Sequence, residues 1–222
     1  MKKRLAALGL STLLVTPVVF AQQQATGRKV DTALQVFREL TDLPEKKVPK
    51  RLLRDARCVA VIPNVIKGAF VWGGRHGRGV MSCRNAEEVW SPLIFVKISG
   101  GSFGLQIGGE STDLVLFFMT ERGARSLLKS RFVLGGDGSL AAGPLGRTAE
   151  ISTDIRLSAE IYTYAKARGV FAGLSFEGAR LAPDRNWIER YYGESIWPAD
   201  ILFEHQVPSS PVESGRFLAA LP

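Results

Sequence analysis

Between Ser99 and Met119, Phe103, Leu105 and Ile107 alternate with Gly104, Gln106 and Gly108, the period of two that an extended strand imposes. One face of that strand is bulky and the other nearly bare. A bare face admits another backbone where a Cβ would clash, and it costs strand stability unless something occupies it. Leu114 to Met119 is apolar on both faces and reads as a second, central strand. Gly109-Glu110-Ser111-Thr112-Asp113 reads as a polar corner between the two.

Helical periods flank this β core. Val30, Ala33, Leu34, Val36, Phe37, Leu40 and Leu43 fall on one side of a helical wheel that Pro44 closes. A second helix is expected to start at Pro49, whose missing N–H costs nothing in a first turn. Lys50, Arg51, Arg54 and Arg57 share one side of it, Val48, Leu52, Leu53 and Ala56 the other, and Lys46 and Lys47 extend the basic side. This is the most charge-segregated stretch of the chain.

Further strands are expected at Cys58–Ile62, closed by Pro63, and at Gly68–Gly74 and Gly79–Cys83, which flank Arg75-His76-Gly77-Arg78 as a hairpin tip. Trp90–Ser99, Phe132–Leu134, Ser139–Ala142, Ala149–Leu157, Glu160–Ala167 and Val170–Phe176 complete the set. Thr120 is placed to cap a helix over Glu121–Ser130, and Pro183 to open one that Gly193 stops. Val207–Pro222 shows no clear period, so a mobile tail is expected over 207–222. The fold class that follows is α+β: a single domain over 22–206 with a glycine-rich, mainly antiparallel β core, barrel- or sandwich-like, and amphipathic helices packed at both ends.

Charge and termini refine this picture. The 222 residues carry a formal net charge of +8. Lys2, Lys3 and Arg4 precede an apolar run to Phe20, and Val19-Phe20-Ala21 has small residues where a leader peptidase cuts, so residues 1–21 read as a signal peptide removed after Ala21. An uncleaved anchor is the alternative. The expected location is the periplasm or the exterior. Cys58 and Cys83 are the two cysteines; in an oxidising compartment they form a disulfide or stay as two small buried residues, and the segments that hold them are expected to pair through the turn between them. They offer no zinc set with the two distant histidines, and no metal, cofactor or nucleic-acid partner is expected.

Three motifs suggest chemistry, and each lacks its context. Gly100-Gly101-Ser102-Phe103-Gly104 matches the G-x-S-x-G elbow of serine hydrolases, with His205 downstream, but an elbow needs a helix after the serine and the pattern here is a strand. Gly136-x-Gly138-x-x-Ala141 resembles a dinucleotide fingerprint, but Gly143-Pro144 forbids the helix that would hold a pyrophosphate, which leaves a tight hairpin. His76 has no nucleophile beside it. Glu110, Asp113, Arg147, Glu150 and Glu177 flank glycine-rich strands or turns and read as a structural ion-pair cluster around Arg147, with an acid/base pair as the alternative.

The strings RDARCVAVIPNVIKGAFVWGGRHGRGVMSCR, WSPLIFVKISGGSFGLQIGGESTDLVLFFM, LGGDGSLAAGPLGR and YAKARGVFAGLSFEGARL, in this order, resemble the SYLF family of lipid-binding domains over about Val48 to Gly193. The chain looks like a bacterial secreted member. The resemblance implies a β-rich core, no established enzyme activity and, in eukaryotic relatives, binding of phosphatidylinositol-type membranes through the N-terminal amphipathic part, with actin as a further partner of some. It places the lipid-contacting segment on Lys50, Arg51, Arg54 and Arg57, with Lys46 and Lys47 beside it, and the family's glycine motifs on Gly68, Gly73, Gly104, Gly108, Gly143 and Gly146. No SH3 or FYVE module is expected beside the domain. The function expected is therefore non-enzymatic binding of anionic phospholipid membranes. Arg75, His76 and Arg78 are a secondary contact. A carrier that uses the bare glycine face as a cavity wall, and a hydrolase at Ser102, are the alternatives.

Overall fold

A computed structural model of the chain describes residues 16–42, 48–128, 132–137, 139–143, 159–167, 170–172, 176, 178–209 and 211–222, with the backbone alone for 16–22, 68–73, 102–110 and 170–172. Two long strands, β1 (Cys58–Cys83) and β2 (Ile94–Phe118), pair antiparallel from Cys58↔Phe118 to Met81↔Ile94. A 26-residue strand laid straight would run about 85 Å, yet the Cα atoms of its two ends are 4.0 Å apart. The ribbon therefore curls on itself into a half-barrel.

Register shifts supply the bends, one between Ile62 and Val65 and one between Ala69 and Val71. Pro63, which has no N–H to give a ladder, sits at the first of these. Beside it Asn64 takes a positive φ of 54° and donates its N–H to Asp113 Oδ1 at 2.9 Å. The curl brings the second half of β1 across its first half. At Gly79 a Cβ would lie 1.9 Å from the Val61 carbonyl oxygen, so only glycine fits this crossing.

The remaining described strands extend the sheet: β3 (Phe132–Val133), β4 (Leu140–Ala142), β5 (Ile161–Ala167), β6 (Val170–Ala172) and β7 (Arg180–Pro183). β5 pairs with β2 on one side, with β6 antiparallel and with β4 parallel, while β7 joins β2 to β3. Helices α1 (Thr16–Thr41), α2 (Lys50–Asp55), α3 (Glu121–Leu127), α4 (Arg185–Tyr192), α5 (Pro198–Glu204) and α6 (Val212–Leu218) cover it. Val30, Ala33, Val36, Phe37 and Leu40 of α1 are buried as the wheel predicts, alongside Val59, Val61, Leu114, Leu116 and Phe117 of the sheet. Glu39–Lys166 and Asp31–Arg216 ion pairs tie α1 to β5 and α6. The α+β class, the single domain and the mainly antiparallel glycine-rich core are all present.

Several local expectations need correction. Arg75-His76-Gly77-Arg78 is no hairpin tip but mid-strand, facing Gly100, Ser99, Ile98 and Lys97; its glycines look like turn formers in sequence and here serve the self-crossing. The polar corner at 109–113 lies inside β2, opposite the bulge in β1. Cys58 and Cys83 are not hairpin neighbours; they are the two ends of one curled strand, and they are bonded. The turn at 135–137 exists, but β3 and β4 pair with different strands, so it makes no hairpin. The stretch 207–222 carries α6, with Phe217 and Leu221 buried against the core, too few apolar positions to show a period. Ala149–Leu157 lies outside the described residues.

Candidate membrane-binding surface

Helix α2 is six residues long and begins after Pro49. Its apolar side, Val48, Leu52 and Ala56, is buried, while Lys50, Arg51, Arg54 and Arg57 are exposed. The segregation read from the wheel is thus the segregation in space. Lys46 and Lys47 lie outside the described residues.

Arg84 anchors this helix, and nothing in the sequence marked it out. Its side chain is 5% exposed; the guanidinium donates to the Arg54 and Leu53 carbonyls at 2.8 and 3.3 Å, to Pro222 O at 2.7 Å and to Glu88 Oε2 at 2.7 Å. It also lies 4.5 Å over the Trp90 ring. The last carbonyls of a helix have no partner within it, and a cation there complements the dipole as well. The backbone continues the attachment: Arg57 N–H donates to Phe118 O at 2.8 Å, and Arg84 N–H to Arg57 O at 2.7 Å. The Cys58–Cys83 bridge lies one residue beyond.

The cations of α2 are partly neutralised. Arg51 and Arg54 both reach Asp55, at 3.3 and 3.1 Å, and Arg57 reaches Glu88 at 3.1 Å. Hydrogen bonding from Arg84, with Arg57 nearby, holds the Glu88 carboxyl below its ordinary range. Among the described residues Lys50 has no ion-pair partner.

Arg75, His76 and Arg78 do not form one patch. Successive residues of a strand point to opposite faces, and Arg75 lies 4.8 Å over the Phe176 ring, where burial lowers its pKa. His76 is exposed. Arg78 turns to the start of α4, where its Nε meets the buried Asp184 carboxylate at 2.7 Å, with Trp187 at 5.3 Å.

The glycine motifs keep backbone roles where they are described. Gly68 pairs with Gly109, Gly73 with Ser102, Gly104 with Val71 and Gly108 with Ala69. Gly143 lies against the buried Tyr164 ring, where a Cβ would come within 2.1 Å of a ring carbon. Asp113 accepts the Asn64 N–H at the bulge. Gly146, Arg147, Glu150 and Glu177 lie outside the described residues, as does the side chain of Glu110. Ser102 is inside β2, which continues to Phe118, so the strand–turn–helix of a nucleophile elbow is not formed there.

A curled antiparallel ribbon closed at its ends, with a short basic helix pinned beside the closure, defines an α+β domain that presents a rigid cationic surface. The family model for Ysc84, described as "Las17-binding protein actin regulator", matches residues 99–221. The chain belongs to that family, which bears out the SYLF resemblance. It is 35% identical over 177 residues to SH3 domain-containing YSC84-like protein 1 of Rattus norvegicus, covering 77% of this chain and 52% of the relative. The protein of the same name from Xenopus laevis is 36% identical over 178 residues, at 77% and 53% coverage. Protein YSC84 of Saccharomyces cerevisiae is 32% identical over 161 residues, at 71% and 34%. The chain thus spans about half the length of the vertebrate relatives and a third of the yeast one.

Proposed function

We propose that this protein is a non-enzymatic binder of anionic phospholipid surfaces, and that the exposed face of α2 is the contact. The observation that carries this reading is the exposure of Lys50, Arg51 and Arg54 on a helix whose other side is buried and whose carbonyl end is held by Arg84, with Arg57 exposed just beyond it at the entry to β1. A basic side chain near an anionic membrane contributes about 1 kcal/mol. With Asp55 and Glu88 offsetting part of the charge, the contact is peripheral and reversible.

The proposal includes export. Cleavage after Ala21 would leave Gln22–Thr41 of α1, which keeps the buried Val30, Ala33, Val36, Phe37 and Leu40. Intact mass of protein from a periplasmic fraction is expected to begin at Gln22. A mass that retains Met1 would contradict export.

The test of the contact is sedimentation with vesicles of phosphatidylglycerol and phosphatidylcholine against phosphatidylcholine alone. Wild type is expected to pellet with the first only, and a variant with Lys50, Arg51, Arg54 and Arg57 all changed to Gln is expected to stay in solution while melting at the wild-type temperature. Equal pelleting of the two proteins would remove α2 from the contact. The family's character as Las17-binding actin regulators supports a second reading, a protein partner of that kind, which predicts pelleting with actin filaments in the absence of vesicles.

A further inference from the structure

A cleft of about 500 Å³ opens between β7, β2 and the starts of α4 and α5. Its floor is apolar, made by Leu128, Pro183 and Pro198, and Trp197 stands at the rim 61% exposed. Two cations face it. Lys97 comes from β2 and Arg185 from the first turn of α4, and the Arg185 guanidinium lies 4.0 Å over the Trp197 ring. Stacking fixes the plane of that guanidinium and leaves its N–H edge open.

The charge around the cleft is unbalanced. Among the described residues Asp184 is the acidic one in the lining, and its carboxylate, 4% exposed, is engaged by Arg78 at 2.7 Å. Among the described residues neither Lys97 nor Arg185 has an ion-pair partner. An open basic pair over an apolar floor, with a large aromatic ring left in water, fits a molecule that is anionic at one end and apolar at the other. A free anion would leave the floor and the ring uncovered. A neutral apolar ligand would leave the two cations unmatched.

We infer that this cleft holds one anionic amphiphile, with its phosphate or carboxylate between Lys97 and Arg185 and the first part of its chain on Leu128, Pro183, Pro198 and Trp197. The inference does not depend on α2: it concerns a single molecule in a built cleft, where the membrane contact concerns a surface.

The test uses dihexanoyl phosphatidic acid kept below its micelle concentration and followed by titration calorimetry with the full chain. Saturable one-to-one binding is expected, weakened at least tenfold in Lys97→Gln/Arg185→Gln and in Trp197→Ala, and unchanged in the α2 quadruple variant. Both cations are exposed, and Arg185→Gln removes a positive charge from the start of α4, where the helix dipole disfavours one, so the double variant is expected to fold. Wild-type affinity in both cleft variants would overturn the inference. Equal affinity for dihexanoyl phosphatidylcholine would overturn the role of the cations. Equal affinity for inorganic phosphate would reduce the site to an anion site and overturn the amphiphile.

Discussion

The α2 surface and the Trp197 cleft are both basic, and they are basic in opposite ways. On α2 and just after it four cations stand close together in sequence, but Asp55 takes up two of them and Glu88 a third. In the cleft two cations come from β2 and α4, 88 residues apart in sequence by their numbers, and no acidic side chain among the described residues answers them. Counting charges therefore ranks α2 first, while counting unpaired charges puts the cleft ahead, with Lys97 and Arg185 against Lys50 alone. The first suits a planar surface that many weak contacts can share; the second suits one molecule.

The largest effect that separates the two regions is expected from the disulfide. Cys58→Ser/Cys83→Ser opens the closure beneath α2, and a bridge spanning a separation of 25 residues is worth about 3 kcal/mol in the chain-entropy account. Chemical denaturation is expected to show that loss, and hydrogen exchange to show the extra opening at Leu52–Val59 before Ile188–Tyr192. Uniform opening of both regions would mean that the closure does not serve α2 in particular.

Arg84→Gln comes next. It removes the cation that joins α2 to Glu88 and Pro222 and weakens the end of the helix, a cost of about 2 kcal/mol for hydrogen bonds to a charged group. Vesicle binding is expected to fall with it although Arg84 is itself buried, and titration of the cleft is expected to be unchanged. Undiminished vesicle binding would show that α2 needs no fixed orientation.

The smallest effect is a gain. Asp55→Asn/Glu88→Gln frees the three arginines without replacing them, and because exposed pairs hold their charges only weakly the total gain is expected to be about 1 kcal/mol, a rise of about fivefold in affinity for anionic vesicles. Cleft binding is expected to hold constant. A fall in vesicle affinity would mean that the ion pairs orient the arginines rather than occupy them.

The sequence reveals these regions unequally, for physical reasons. The buried and exposed sides of α2 follow from a local period, and Val48, Leu52 and Ala56 are where it puts them. Thr120 caps α3 by accepting from Gly123 N–H at 3.1 Å, and Gly193 ends α4 at φ 81°, both set by residues within one turn. Arg84 looks like any arginine after a strand, because the carbonyls it holds lie about thirty positions earlier and the remaining acceptor is Pro222. The cleft is less legible still: Lys97, Leu128, Arg185 and Trp197 share no spacing and meet only after β2 has paired with β7. Likewise Gly77 and Gly79 signal a turn locally and a strand crossing in three dimensions.

If the charge on and beside α2 holds the protein at an anionic membrane, binding must weaken as salt screens it. Screening shortens from about 10 Å at 0.1 M salt to about 3 Å at 1 M. Wild-type binding to phosphatidylglycerol vesicles, measured across that range, is expected to fall steeply toward the low level of the variant with Gln at positions 50, 51, 54 and 57, whose own binding stays flat. Wild-type binding that holds constant as salt rises, or parallel curves for the two proteins, would contradict a membrane contact through that charge.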